Sequence, residues 1–198
     1  SFLACGNVKK KEKLTEIDIT QSELFFKLSL AQWSFNKHIR SGEMSPFDFA
    51  KKASELGFEG IEYVSQLYTN EIEKLGFEVV IDSLKNESEK HGIKNVLIMV
   101  DGKGDLASLD ESERNESVEK HKKWVDAAKT LGCHAIRVNL FGTNDAKIWV
   151  ETAVDGLTRL SDYAATKNIN VLVENHGWLS SDVPVLMKVI NAVGKSNC

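Results

Sequence analysis

Several features that mark common protein classes are scarce or missing from this 198-residue sequence. No apolar run approaches the ~18 residues of a transmembrane helix, and Leu, Ile, Val and Phe are too frequent for a disordered chain. Three cysteines, Cys5, Cys133 and Cys198, are too scattered for a disulfide framework or a CxxC metal knuckle. With 25 basic against 29 acidic residues, the chain lacks the basic surface that nucleic-acid binding requires.

Residues 1–25 are predicted to be a terminal segment separate from the domain at 26–198. A short apolar stretch and a small residue precede Cys5-Gly6, which resembles the end of a bacterial lipoprotein signal peptide whose cysteine carries the lipid. The Lys- and Glu-rich residues 9–16 would then be a solvated tether, and the protein would face the cell envelope on its periplasmic side. The alternative is a frayed end with an incidental thiol on a cytoplasmic protein.

From residue 26 onward, apolar strand-like runs alternate with helical stretches. The predicted strands are 26–35, 60–64, 95–100, 134–141 and 169–174. Because these runs are continuously apolar, both faces of the strands should be buried. Because helices separate them, the strands should be parallel with right-handed crossovers.

This alternation fits either an open doubly wound sheet or part of a (β/α)8 barrel. A dinucleotide-binding doubly wound sheet would carry G-x-G-x-x-G after its first strand, where the sequence has Gln32-Trp33-Ser34-Phe35. A Walker A motif is also missing. We therefore predict an α/β fold, a (β/α)8 TIM barrel of which this chain supplies about the first five β/α units.

Polar residues gather at the carboxyl ends of the predicted strands, where both architectures place their chemistry. In chain order they are Gln32 and Trp33, Glu62 and Tyr63, Asp101, Arg137 and Asn139, and Glu174, Asn175 and His176. Glu174 is the most informative, because a carboxylate at the end of an apolar strand is costly unless it is paired, hydrogen-bonded or bound to a cation. It could bind a divalent metal or abstract a proton next to a sugar carbonyl. It could equally cap the next helix or pair with Arg137.

The other strand-end residues also leave alternatives open. Arg137 lies in an apolar strand and needs a buried anion, either a glutamate or a substrate group. Glu62 could be that glutamate or could hydrogen-bond a substrate hydroxyl. Trp33 could form the floor of the site, since aromatic faces pack on sugars, or belong to the core. Four histidines, among them His121, are interpreted as loop, helix-surface or strand-opening residues without chemistry.

Five segments carry a resemblance to a known family: residues 28–34 (LSLAQWS), 57–64 (GFEGIEYV), 97–102 (LIMVDG), 131–139 (LGCHAIRVN) and 171–177 (VLVENHG). They resemble the xylose-isomerase-like TIM barrels, a family of sugar phosphate isomerases and epimerases related to the endonuclease IV barrel. The resemblance implies an eight-stranded barrel with one divalent metal ion (Mn, Mg, Zn or Co) held by Glu, Asp, His and Glu. Glu174 matches the strand-five glutamate of the family, a metal ligand and a candidate base.

The family's other ligands would come from strands six to eight, which this sequence does not reach. A barrel of this type takes about 250 residues. We therefore expect the 198 residues to be a fragment of a longer protein, or else a short protein that closes by pairing with another copy. The fragment alone is predicted to bind metal weakly and to be inactive.

For the full-length protein the sequence predicts a metal-dependent sugar isomerase or epimerase that transfers a proton next to a carbonyl. Glu174 is the predicted catalytic residue and metal ligand. The predicted substrate-binding residues are Trp33, Glu62, Arg137, Asn139 and His176. The alternatives are a metal-dependent lyase or hydrolase acting on keto-sugars or glycosides, and a non-catalytic envelope sugar-binding protein. The expected partner is a small sugar or sugar derivative, with a membrane contacted only through a lipid on Cys5.

Overall fold

The structure is a computed structural model that describes residues 26–198, and the predictions for Cys5 and the tether fall outside this range. Its strands are β1 (Ser29–Ala31), β2 (Gly60–Val64), β3 (Lys94–Val100), β4 (Ala135–Val138) and β5 (Asn170–Val173). Its helices are α1 (Asn36–Ser41), α2 (Phe49–Glu55), α3 (Thr69–Leu75), α4 (Phe77–Lys90), α5 (Glu111–Leu131), α6 (Ala146–Thr166) and α7 (Val183–Val193). Not one of these helices combines the length and apolarity needed to cross a membrane.

The five strands form one parallel sheet in the order β1-β2-β3-β4-β5. Each strand pairs with its neighbour in the sequence, and the order never reverses. A doubly wound sheet would reverse its order at a switch point, whereas a barrel adds its strands in sequence. The prediction of a TIM-barrel fold with about five β/α units is therefore confirmed.

Aspartate side chains fix where three of the helices, α5, α6 and α7, begin. Asp110, Asp145 and Asp182 each accept a hydrogen bond from a backbone N–H in the first turn of α5, α6 and α7. These bonds satisfy amide groups that a helix leaves unpaired at its start. Gly132 ends α5 in the left-handed conformation (φ 75°), which glycine adopts without steric cost. These caps place the ends of β3, β4 and β5 at defined points relative to the helices that follow them.

The two faces of the sheet have different roles, and β4 shows the difference most clearly. Ile136 and Val138 are fully buried in the hydrophobic core, together with Trp149 of α6 and Val125 of α5. Arg137 lies between them and points to the opposite face, because successive side chains of a strand alternate. That opposite face carries the polar residues of the candidate site.

The first strand is shorter than predicted. The prediction of a strand over 26–35 is wrong, since β1 ends at Ala31 and Gln32–Phe35 form a 3-10 turn. Gln32 is fully buried there; its amide donates to the Tyr68 hydroxyl (2.6 Å), and its carbonyl accepts from the Val64 N–H (3.0 Å). These bonds turn the chain away from the sheet, so Gln32 serves structure and Trp33 is carried to the surface.

Candidate active site

A cleft of about 480 Å³ opens at the carboxyl ends of the strands. It lies within the ~300–1,000 Å³ range that is usual for small-molecule sites. Its lining includes Ala31, Trp33, Gln66, Met99, Val100, Asp101, Gly102, Gly104, His121, Arg137, Asn139, Phe141, Glu174 and His176. Five of the six residues predicted from the sequence as site residues therefore meet in one cleft, although their roles stay predictions.

An ion-pair cluster occupies the centre of this cleft. Arg137 donates from Nη1 to Asp101 Oδ1 (2.9 Å), and its Nε lies 2.8 Å from Glu174 Oε2. Both side chains are largely buried, since only 16% of the Arg137 side-chain surface and 15% of the Asp101 side-chain surface are exposed. Arg137 was predicted to need a buried anion, and two carboxylates that follow the flanking strands, Asp101 and Glu174, fill this role.

Glu174 is held by charge and not by hydrogen bonds. Its Oε2 is buried but has no hydrogen-bond partner among the described residues, so its contact with Arg137 is an ion pair without hydrogen-bond geometry. His176, which is more than half exposed, places Nδ1 3.6 Å from Glu174 Oε1. A buried polar atom without a hydrogen bond is costly, and a ligand that donates one would relieve that cost.

Asn139 presents a second acceptor of the same kind. Its amide Nδ2 donates to Asp101 Oδ1 (2.8 Å), while its buried Oδ1 has no partner within residues 26–198. The cleft therefore contains two acceptor oxygens, on Glu174 and Asn139, that lack donors. Hydroxyl groups of a bound ligand could supply both donors.

Aromatic side chains form the rim of the cleft. Trp33 is 42% exposed, and the Arg40 guanidinium lies 4.9 Å from the centre of its ring, so Trp33 is not a core residue. On the opposite side, Phe141 packs edge-to-face on the exposed Trp178. The Asp105 carboxylate accepts from the N–H groups of Phe141 (3.1 Å) and the following glycine (2.6 Å), which fixes this side of the rim.

Glu62 is the one predicted site residue that does not line the cleft. It is half-buried on β2, and its Oε1 accepts a hydrogen bond from the Ser29 hydroxyl (2.5 Å). Glu62 does not pair with Arg137, because the Arg137 guanidinium contacts Asp101 and Glu174 instead. A substrate-binding role for Glu62 stays a prediction.

His121 was predicted to be a surface residue, and this interpretation is wrong. It is 2% exposed on α5 and lines the cleft, with Nδ1 2.7 Å from the Ser117 carbonyl. A bond to a carbonyl assigns the proton to Nδ1 and leaves Nε2 as an acceptor. The signal was present in the sequence, because His121 follows Val118 by three residues and precedes Val125 by four on the apolar face of the helix.

The buried position of His121 predicts a pH dependence of stability. Burial lowers its pKa, against smaller raising effects of the Ser117 carbonyl, Asp101 and Asp105. As pH falls below about 6.5, the unfolded chain therefore binds a proton more readily than the folded one, and stability is lost. We expect the free energy of unfolding, measured in urea between about pH 7 and pH 5, to fall less steeply in His121→Gln than in the unmodified chain. Equal slopes would contradict the effect.

The described residues do not complete the metal site that the resemblance implies. No group of three His, Cys, Asp or Glu side chains within residues 26–198 is arranged to hold a metal ion. Glu174 could supply one ligand through its buried oxygen, but Oδ1 of Asp101, the other carboxylate that lines the cleft, is bonded to Arg137 and Asn139. One available carboxylate does not hold a divalent ion selectively.

This donor set predicts weak metal binding by the 198-residue chain. In a calorimetric titration with Mn²⁺ we expect no saturable binding at micromolar concentration, since a single monodentate carboxylate replaces few of the ion's waters. Glu174→Gln provides the control, because any heat from the cleft should disappear in it. Stoichiometric 1:1 binding with a micromolar dissociation constant would contradict this expectation.

Comparison with known families matches the chain to a family of TIM barrels. The family model described as "Xylose isomerase-like TIM barrel" matches residues 50–198, which is more than half of the chain. No protein of curated function shows a significant sequence match.

Solved structures of similar fold include an epimerase, a probable dehydratase and a protein with a bound zinc atom. D-psicose 3-epimerase, solved in the presence of D-fructose, has a TM-score of 0.68 and 18% identity over 87% of this chain and 61% of its own. The probable 3-DHS dehydratase AsbF of Bacillus anthracis has a TM-score of 0.67 and 22% identity over the same shares, 87% and 61%. The IolI protein with a bound zinc atom has a TM-score of 0.68 and 19% identity over 87% of this chain and 60% of its own. The chain thus spans about three fifths of these proteins, and identities this low establish a common fold alone.

Proposed function

Because the chain belongs to the xylose isomerase-like TIM barrel family, we propose that it forms part of a sugar isomerase or epimerase. The observation that carries the proposal is the pair of buried acceptor oxygens on Glu174 and Asn139, which lack hydrogen-bond donors among the described residues. They share a cleft of monosaccharide size with the Arg137 guanidinium. A polyhydroxy compound supplies several hydroxyl donors at fixed spacing and meets this requirement.

The proposed reaction moves a proton on a carbon next to a carbonyl group. The Glu174 carboxylate takes the proton from that carbon, and the electron pair of the broken C–H bond moves to the carbonyl oxygen, giving an enediolate. Arg137 uses Nε and Nη1 for Glu174 and Asp101, and Nη2 has no partner within residues 26–198. Nη2 is therefore available to donate to the enediolate oxygen, where negative charge develops. Return of the proton from Glu174 to the neighbouring carbon, with transfer of the enediol hydroxyl proton to the other oxygen, gives an isomer. An epimer requires that a second acid on the opposite face donates a proton to the original carbon, and no described residue is assigned that role.

Other side chains of the cleft would hold the sugar in place. Asn139 Oδ1 accepts from a hydroxyl, and the exposed His176 offers a further polar contact beside Glu174. Trp33 presents an aromatic surface at the rim, suited to the apolar C–H face of a sugar. Aromatic walls and a few polar groups are the usual composition of small-molecule sites.

The support for a bound divalent metal ion comes from proteins of similar fold. IolI is a protein of similar fold with a bound zinc atom, and D-psicose 3-epimerase was solved in the presence of D-fructose. When present, such an ion would polarise neighbouring carbonyl and hydroxyl oxygens. The described residues offer Glu174 as one ligand and do not form such a site by themselves.

A dehydratase or other lyase is the second candidate, favoured by the likeness to the probable dehydratase AsbF. The same proton abstraction starts both reactions, but a lyase then expels a group from the next carbon. The two reactions differ in product mass, because an isomerase conserves the mass of its substrate and a dehydratase loses one water.

The test is product analysis with the protein made from its complete reading frame. It is incubated with D-fructose, D-tagatose and D-psicose, and the products are identified by mass spectrometry and NMR. The proposal expects at least one ketose to give a product of unchanged mass and altered configuration. A product lighter by one water would favour the lyase. Sugar binding without any conversion, unaffected by a chelator, would contradict both enzymes.

A further inference from the structure

Asp101 is held in the cleft by hydrogen bonds of both its backbone and its side chain. It follows β3 directly, its N–H donates to the hydroxyl of Ser65 (2.9 Å), and that hydroxyl donates to its carbonyl (3.1 Å). Ser65 is completely buried at the end of β2. The backbone of Asp101 is thus tied to the neighbouring strand, and its carboxylate has little freedom to move.

The Asp101 carboxylate in turn orients two groups that face the ligand. Its Oδ1 accepts from Arg137 Nη1 (2.9 Å) and from Asn139 Nδ2 (2.8 Å). The bond to Asn139 decides which end of that amide is free, because it engages the nitrogen and leaves the buried Oδ1 as an acceptor without a donor among the described residues. Through Oδ1, Asp101 therefore orients both the Asn139 acceptor and the Arg137 guanidinium toward the ligand.

The charge of the cleft follows from the same contacts. Its ionisable lining residues are Asp101, His121, Arg137, Glu174 and His176. The permanently charged groups are two carboxylates, Asp101 and Glu174, against one guanidinium, Arg137, and none of the described residues that line the cleft is a lysine. A phosphate group would meet a cation already shared by two carboxylates, and a fully ionised phosphate has no hydrogen to donate to the acceptors of Glu174 and Asn139.

From this arrangement we propose that Asp101 is the positioning residue that sets ligand class: it reserves the cleft for uncharged polyhydroxy compounds and excludes phosphate esters. The inference deepens the proposed function, on which it rests, by naming the class of sugar. Discrimination against a ligand class often depends on a repulsive element, and here the Asp101 charge is that element. The guanidinium stays in place to donate hydrogen bonds, while the Asp101 and Glu174 carboxylates offset its charge and weaken its attraction for a phosphate dianion.

The test compares Asp101→Asn with Asp101→Ala in the 198-residue chain. Asparagine keeps the shape and the Oδ1 acceptor but removes the charge, whereas alanine removes both. Asp82→Asn, an exposed change on α4 outside the cleft, is the matched control for net charge. Inorganic phosphate is titrated by calorimetry in metal-free buffer of low ionic strength. We expect Asp101→Asn to bind phosphate at least ~10-fold more tightly than the unmodified chain, and Asp82→Asn to match the unmodified chain.

A second readout separates positioning from charge. In the protein from the complete reading frame, Asp101→Asn should retain most of the kcat for an uncharged ketose, because Asn Oδ1 still accepts from Arg137, and Asp101→Ala should lose it. Equal phosphate affinity in the unmodified chain and folded Asp101→Asn would overturn the proposal. So would kcat for an uncharged ketose that is the same in Asp101→Ala as in the unmodified protein. The phosphate titration needs no turnover, so its outcome is independent of whether the sugar reaction itself is found.

Discussion

Glu174→Gln is expected to lower kcat of the protein from its complete reading frame by about 10²–10⁴-fold, the usual contribution of a positioned acid or base. Glutamine has the same shape but does not accept a proton at neutral pH. KM should change much less than kcat, because the amide oxygen can still accept a hydrogen bond from a substrate hydroxyl. Steady-state kinetics on the ketose identified by product analysis measures both values.

The matched control for this variant is Glu73→Gln, an exposed change on α3 away from the cleft. It removes the same charge and should leave kcat unchanged. If Glu174→Gln retained kcat within a factor of about two while remaining folded, Glu174 would not be the base.

Arg137→Met is expected to have the largest effect on stability. The change leaves Asp101 and Glu174 as two facing carboxylates without their shared cation. Breaking a buried ion pair costs about 3–5 kcal/mol, and we expect about 3 kcal/mol here because Glu174 is partly exposed (36%). Urea denaturation followed by circular dichroism measures the loss.

A combined variant tests whether uncompensated charge is the cause. Adding Asp101→Asn and Glu174→Gln to Arg137→Met removes the two carboxylates and should recover most of the lost stability. If Arg137→Met lowered the free energy of unfolding by less than about 0.5 kcal/mol, its effect would be that of an ordinary surface change. The ion-pair cluster would then contribute nothing to stability. Equal stability of the single and triple variants would point to lost packing of the arginine chain as the cause.

Much of the fold could be read from the sequence, because strongly apolar runs bounded by caps leave few alternatives. Gly60–Val64 is a strand with the predicted bounds, and the later predicted strands overlap β3, β4 and β5 in the expected order. The first strand was overestimated because Gln32 turns the chain through bonds to Tyr68 and Val64, partners more than 30 residues away. Contacts of that kind have no local signal.

The candidate site was predictable in position but not in its pairing. Arg137, Asn139 and Glu174 lie at or near the ends of predicted parallel strands, which end at one edge of the sheet. Their positions in the sequence therefore indicated that they share a site, and all three line the cleft. Asp101 also follows an apolar strand, as Glu174 does, so the same reasoning places it at this edge of the sheet. Which carboxylate pairs with Arg137 depends on the register between β3, β4 and β5, and sequence periodicity does not determine register.

Solvent deuterium exchange tests the central claim, that Glu174 moves a proton beside a sugar carbonyl in this cleft. The protein from its complete reading frame is incubated in D₂O with a ketose, and NMR follows the carbon next to the carbonyl. The account predicts that deuterium enters that position together with formation of the epimer or isomer, and that Glu174→Gln abolishes both. Epimer formation without deuterium entering at that carbon, or exchange that persists unchanged in Glu174→Gln, would contradict it.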